Sequence, residues 1–278
     1  MVRNKQKILE RLIMKLYDVK IMSTIETIDL LLNSNKSICR LGDGEFSFLD
    51  ETRTKSIEYY QKLDNKLSNK LKQILIDKPH NNIIIALSNF VSSELYASKI
   101  KEWNIEQTLL NYISKNNENY IFGNAGITRN YKLIPTLKLL WDKKDVVLVE
   151  GKYCRGGIGN DLYDNVKSLK RILCPAENAF DKYDEICQSI KSNCKKDDLI
   201  LCALGPTATC IAYDLSKEDY RILDIGQVDI IYEWYKAGGS RLEIPGKYVH
   251  ESTNGHNILE IEDCTNENYL NSIIDKVL

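Results

Sequence analysis

Short, uniformly apolar blocks recur along the chain, and most are followed by a stretch whose apolar residues repeat at helical spacing. The blocks predict strands at 38–41, 82–87, 120–123, 145–150, 170–174, 199–204 and 221–225. None shows the alternation of a strand with one wet face, so each is expected to be covered on both sides, as in a parallel sheet. Helices are predicted over 5–18 (Ile8, Leu12, Ile13 and Leu16 on one face), from Ser23 to about Leu32, from Ile57 to about Ile76, over 91–101, 105–115, 130–141, 181–192 and 207–217, and near 265–277. Ser23 and Glu26 have the spacing of a capping box, and Pro79 closes the long third helix. Alternating strands and helices of this kind imply an α/β, Rossmann-like architecture: a mainly parallel sheet with helices on both faces. No Pro/Ser-rich linker or repeat divides the chain, so a single domain is expected, with helices in 1–36 packed on a unit formed by 37–278.

Composition narrows the function classes. A formal net charge of -1 over 278 residues excludes a nucleic-acid binder working through a broad basic face. No apolar run reaches the ~20 residues of a membrane span, and no secretory leader follows Met1. The basic first helix suits a domain edge, or a membrane surface if the protein is peripheral. The eight cysteines form no C-x-x-C pair. Cys39, Cys174 and Cys202 fall inside apolar strands, as buried thiols do, so a reduced, cytoplasmic protein is expected.

Chemistry-bearing residues cluster after strands. Arg40-Leu41-Gly42-Asp43-Gly44-Glu45 closes the first strand. If the turn stays extended, Asp43 and Glu45 point the same way and suit a hard divalent cation, Mg²⁺ or Mn²⁺, that holds phosphate oxygens. The same residues also suit a tight turn with solvated acids. Asn124 to Arg129 follows the third strand. Loop 151–161 joins four glycines to Lys152, Arg155, Asn160 and Asp161. Gly205-Pro206-Thr207-Ala208-Thr209 opens a helix whose free amides suit a phosphate, although Thr207 also suits a simple cap. Asp224 and Gln227 to Asp229 follow the last predicted strand. In parallel sheets ligands bind at the carboxyl ends of the strands, so these loops should converge on one cleft. His80 reads as a solvated loop residue; His250, with Glu251 beside it, suits either the site or, as the commoner case, an exposed loop. No G-x-G-x-x-G, P-loop or nucleophile-elbow pattern is present.

Read together, Arg40–Phe46, Gly123–Arg129, Val149–Lys152, Gly159–Leu162, Ile172–Phe180, Ala203–Thr209 and Asp224–Gly226 resemble the bacterial GT-D fold glycosyltransferases, over roughly residues 37 to 252. The resemblance implies transfer of a hexose, often glucose or galactose, from a UDP-sugar to a glycan or glycopeptide hydroxyl with a divalent cation, Mn²⁺ above all. It makes Asp43 and Glu45 the metal and diphosphate acids. Arg155, Asn160, Asn178 and the 205–209 turn then line the nucleotide pocket. Asp229 and Glu233 are the candidates for taking the acceptor proton. Gln227 stands where the family pattern leads one to expect His, and Ile231 where an acid is usual. A homodimer is compatible with this reading. The alternative is a nucleotide-sugar-binding subunit without catalysis that stabilises a partner transferase.

Overall fold

The computed structural model describes residues 19–49, 61–88, 120–239, 241–252, 255 and 261–278. The helices expected over 5–18, 91–101 and 105–115 lie outside them. Eight strands form one sheet in the order β3-β2-β1-β7-β6-β4-β5-β8, and every pairing is parallel. The strands are β1 Ser37–Leu41, β2 Ile83–Leu87, β3 Gly123–Asn124, β4 Asp145–Gly151, β5 Ser168–Cys174, β6 Leu199–Ala203, β7 Arg221–Asp224 and β8 Ile273–Lys276.

Uninterrupted apolar runs are explained by burial on both faces. Alternate residues of β4 enter different cores: Val147 and Val149 pack on one face, Val146 and Leu148 on the other. Helices α3 (Asn65–Ile76), α5 (Tyr183–Asn193) and α6 (Pro206–Ser216) cover the first face. Helices α1 (Thr24–Leu32), α4 (Ile134–Lys138) and α7 (Val228–Lys236) cover the second. The capping box of α1 forms as expected: Glu26 N donates to Ser23 Oγ, and Ser23 N donates to the Glu26 carboxylate at 2.7 Å.

Three local expectations are corrected. Residues 61–64 are not helical, because Asp64 adopts an extended conformation and its side chain accepts from Leu67 N, so α3 starts at Asn65. The closing helix is short: α8 spans Glu267–Ser272, and the chain then straightens into β8 beside β5. Ile273, Ile274 and Val277 are β-branched residues that gain more from an edge strand than from another helical turn. The third change concerns the turn after β1. Residues Asp43–Ser47 form a short helix, α2, so Asp43 and Glu45 do not project side by side from an extended chain.

β4 and β6 are neighbours whose chains leave in opposite directions, β4 toward β5 and β6 toward β7. Such a reversal opens a crevice at the carboxyl ends of the strands.

Candidate active site

A cleft of about 200 Å³ occupies that crevice. All five loops singled out in the sequence reach it: Gly42 to Glu45, Gly126 and Arg129, Gly151 and Gly156, Gly205, and Gly226 to Asp229. Pro175, Ala176 and Ala179 after β5 complete the wall, with Tyr248 and His250 from the C-terminal excursion.

At the β1 end, Asp43 is exposed on the cleft, and among the described residues no side chain partners it. Glu45 folds back so that Oε2 accepts from Gly42 N at 2.8 Å. Burial, with the nearby Asp224 charge, pushes Glu45 up to about 7, and the Gly42 amide only partly offsets this. Arg40 is wired into the scaffold. Its guanidinium donates to Asp224 Oδ1 at 3.0 Å, to Asp224 O at 2.7 Å, to Ala125 O at 3.0 Å and to Thr128 Oγ1 at 2.8 Å. Gly226 has φ +51, and a Cβ there would collide with Arg40 Nη2, so only glycine lets the β7 loop pass this close. Thr209 donates to Arg40 O and, on Asp224, to Oδ2.

At the opposite wall, Asp229 is buried with both oxygens engaged. Oδ1 accepts from Gly157 N at 2.7 Å and Asn160 Nδ2 at 2.8 Å, and Oδ2 pairs with Lys247 Nζ at 2.7 Å. Glu233 shares Asn160 and Lys247 with it but does not reach the cleft wall. Both candidate acids thus fasten the glycine loop to the excursion. Glu150, at the end of β4, holds the same loop from below. It accepts from Gly156 N at 2.8 Å and pairs with Arg171 at 2.5 Å, both side chains being almost fully buried.

Several expected ligand residues lie off the cleft wall. Arg155 is buried and donates to Gly246 O at 2.7 Å and to Glu262 O, pinning the excursion. Lys152 pairs with Asp263. Asp161 is exposed, pulled down to about 2 chiefly by the Tyr232 hydroxyl. Asn178 takes a left-handed conformation, and its side-chain Oδ1 accepts from Lys62 N. Asn124 caps the turn through Gly126 N. Asn160 is held in the Asp229 network. Pro206 and Thr207 are buried in the first turn of α6 behind Gly205, and Thr207 Oγ1 has no partner among the described residues. Arg155→Ala is therefore expected to cost about 1.5–3 kcal/mol of stability, the value of hydrogen bonds from a charged donor, with UDP affinity little changed. Chemical denaturation and titration calorimetry with UDP check both halves.

Gln227 does face the cleft, and its amide donates to Glu251 Oε1, which also pairs with Arg129 at 2.5 Å. Burial pushes Glu251 up, but Arg129 and these hydrogen bonds outweigh it and leave the acid below its usual range. His250, open in the sequence between a place at the site and an exposed loop, lies on the cleft wall, 3.8 Å from Glu251 and stacked near Tyr248. The sequence signal for it was weak, since a polar loop with one histidine carries no period. Cys154 also lines the cleft, but burial and Glu150 push its thiol up to about 12, which keeps it neutral and poorly nucleophilic.

Among the described residues no group of three or more His, Cys, Asp or Glu side chains could cage a metal ion. The donor set instead suits a hard cation that keeps water and substrate phosphate ligands and touches the protein through one or two carboxylates. Asp43 meets that need, and Glu45 has one oxygen beyond its cap.

A strand-end cleft at a reversal of an all-parallel Rossmann-like sheet is where such folds bind ligands, and comparison with known proteins gives the class. The family described as "Glycosyltransferase GT-D fold" matches residues 38–252. The chain belongs to this family. It is 34% identical over 253 residues to the probable glycosyl transferase Gly of Streptococcus gordonii, covering 86% of this chain and 36% of that protein. It is 30% identical over 277 residues to glycosyltransferase GlyD of Streptococcus pneumoniae serotype 4, covering 94% and 33%. The chain thus spans about a third of the length of these curated relatives. A solved domain, once of unknown function and described as a distinct glycosyltransferase fold, superposes with a TM-score of 0.82 at 27% identity, covering 97% of this chain and all of that one. A glycosyltransferase from Streptococcus sanguinis superposes with a TM-score of 0.80 at 30% identity, covering 94% and 100%.

Proposed function

We propose that this chain is a metal-dependent hexosyltransferase that uses a UDP-sugar and a glycan or glycopeptide hydroxyl. The observation that carries the reading is Asp43: an exposed carboxylate without a partner among the described residues, on a strand-end cleft whose other acids are engaged in the scaffold. The donor's diphosphate lies between Asp43 and the first turn of α6, where Gly205 borders the cleft and the helix amides and dipole favour negative charge. Asp43, with the oxygen that Glu45 keeps beyond its cap, would hold a cation there, and the cation would supply Lewis-acid stabilisation to the departing diphosphate. Arg40, fixed by four hydrogen bonds, sets the positions of the β1, β3 and β7 loops around that point. The Asp229–Lys247–Asn160 network holds the glycine loop over the sugar side and excludes water.

A thermal-shift panel of UDP-, GDP-, dTDP- and CMP-sugars, each with and without Mn²⁺, tests this reading, because ligands that bind only the native state raise its melting temperature. The largest rise is expected with UDP-glucose or UDP-galactose plus Mn²⁺, reversed by chelator, together with slow chelator-sensitive release of sugar. A rise without any sugar release or transfer would favour a binding subunit that lacks catalysis. No rise with any UDP-sugar would overturn the proposal.

A further inference from the structure

Among the described residues, exposed large apolar side chains include isolated ones such as Ile25, Ile121 and Leu270, which need no partner. One site differs. Tyr131 and Tyr235 are 42% and 52% exposed, yet their rings stack with centroids 4.9 Å apart and planes inclined by 17°. Among the described residues this is the only ring pair with both members exposed. The stack joins two elements that both start at the cleft. Tyr131 lies two residues beyond Arg129, and Tyr235 lies in α7, whose N-cap is Gln227. At 1.5 Å per residue, the five residues from Ile230, the last residue of α7 on the cleft wall, place Tyr235 about 7.5 Å along the helix from it. One helical turn before Tyr235, polar groups gather around Tyr232: Lys236 lies over its ring, and Asp161 accepts from its hydroxyl at 2.7 Å.

We propose that Tyr131 and Tyr235 form a secondary carbohydrate platform for an extended saccharide acceptor. The inference rests on the transferase reading above and adds an acceptor subsite to it. A pyranose ring has one face of C–H groups and a rim of hydroxyls. That pattern matches the outer face that each exposed ring of the stack leaves open, with Asp161 and Lys236 one helical turn away around Tyr232, since tyrosine offers an apolar body with a polar tip. Each ring holds the other in place, so binding costs little additional side-chain order. Two tyrosines are far too small a surface for a stable protein partner, whose interface needs about 800 Å² per side. The separation from the cleft is longer than one sugar ring, so the platform holds a unit remote from the reacting hydroxyl. It therefore acts on chain-like acceptors and is indifferent to a monosaccharide.

Saturation-transfer NMR with the UDP-loaded protein tests this, using α-linked and β-linked glucose tetrasaccharides and an N-acetyllactosamine tetrasaccharide, with glucose as the short control. At least one tetrasaccharide should receive saturation on its ring C–H protons. Its affinity should fall ~10-fold in Tyr131→Ala and in Tyr235→Ala, the scale of an aromatic contact, and be kept in Tyr131→Phe and Tyr235→Phe. Glucose should show no difference among variants. The proposal is overturned by wild-type protein that binds none of the three, by alanine variants that bind as wild type does, or by sedimentation showing that the alanine variants dissociate a dimer. The UDP thermal shift is recorded on every variant and should not change. Its absence in the wild type would count against the transferase reading, whereas lost tetrasaccharide binding with the UDP shift intact counts against the platform alone.

Discussion

Asp43→Asn will leave the melting temperature of the metal-free protein unchanged and lower metal-dependent sugar transfer by ~100-fold or more, the scale of losing one strong electrostatic contact to the reacting centre. The stability half follows from exposure: no described side chain bonds Asp43, and surface changes away from special features stay within about 0.5 kcal/mol. The activity half follows from charge, since Asn keeps the shape and one carbonyl oxygen but offers a cation no negative charge. Steady-state rates across a Mn²⁺ titration, beside thermal melts, give both numbers. Near-normal turnover at every metal concentration would make the turn structural and remove the central assignment. Glu45→Gln should behave differently, because Gln can still accept from the Gly42 amide. Glu45 is pushed up to about 7 in the folded protein, so the native state binds that proton more tightly than the unfolded chain does. Its favourable contribution is complete below about pH 4.5 and is lost as pH rises through about 7. The difference in stability between wild type and Glu45→Gln should therefore move in favour of the variant between pH 5 and pH 8, which melts across that range can measure.

What sequence could and could not show divides along physical lines. Most strands were legible because burial on both faces leaves an unbroken apolar run, as in Ile83–Leu87 and in Val146–Val149, whereas the strand expected at 120–123 is reduced to Gly123–Asn124 with an isolated bridge at Phe122. The convergence of the loops was legible as well, because a parallel sheet puts every strand's carboxyl end on one edge. β8 was missed because an edge strand of four residues after a capped helical turn carries the same residue types as a helix end. The individual roles were the least legible. Arg155 and Lys152 sit in a glycine-rich loop, as phosphate ligands do, but their charges are used on Gly246, Glu262 and Asp263, more than ninety residues away in the chain. Asn178 and Asp161 were similarly drawn to nearby backbone and side-chain groups. Spacing along the chain reports neither event. The closing excursion, which supplies Lys247, Tyr248 and His250, acts with Lys62 and Tyr232 to determine which polar groups in the loops remain available to a ligand.

The pair formed by Glu150 and Arg171 shows the same principle at its largest energetic scale. Glu150 ends β4 and Arg171 lies in the adjacent strand β5, 1% and 3% exposed at their side chains. Arg171 donates to Glu150 Oε1, to Gly156 O at 2.8 Å and to Ser272 Oγ at 3.0 Å, and its guanidinium lies 5.0 Å from the Tyr269 ring. One cation thus ties β4, the glycine loop and α8 together. Burial pushes the Glu150 carboxyl up, and Arg171 is the main group pulling it back. Arg171→Met fills much of the volume but leaves Glu150 with the Gly156 amide alone, so unfolding free energy at neutral pH should fall by about 3–5 kcal/mol, the usual loss on breaking a buried pair. Part of that loss should return in mild acid, where the stranded carboxyl can take up a proton. Glu150→Gln combined with Arg171→Met removes the buried charge entirely and should recover most of the stability, as apolar or neutral replacements of whole pairs do. Gly156 borders the cleft, so the single variant should also raise the KM for the sugar donor while the double variant raises it less. Urea unfolding at pH 5.5 and 7.5 on the three proteins measures the effect. A single variant as stable as wild type at pH 7.5 would show that Arg171 does not hold the glycine loop, and that the Asp229–Lys247 network holds it without help.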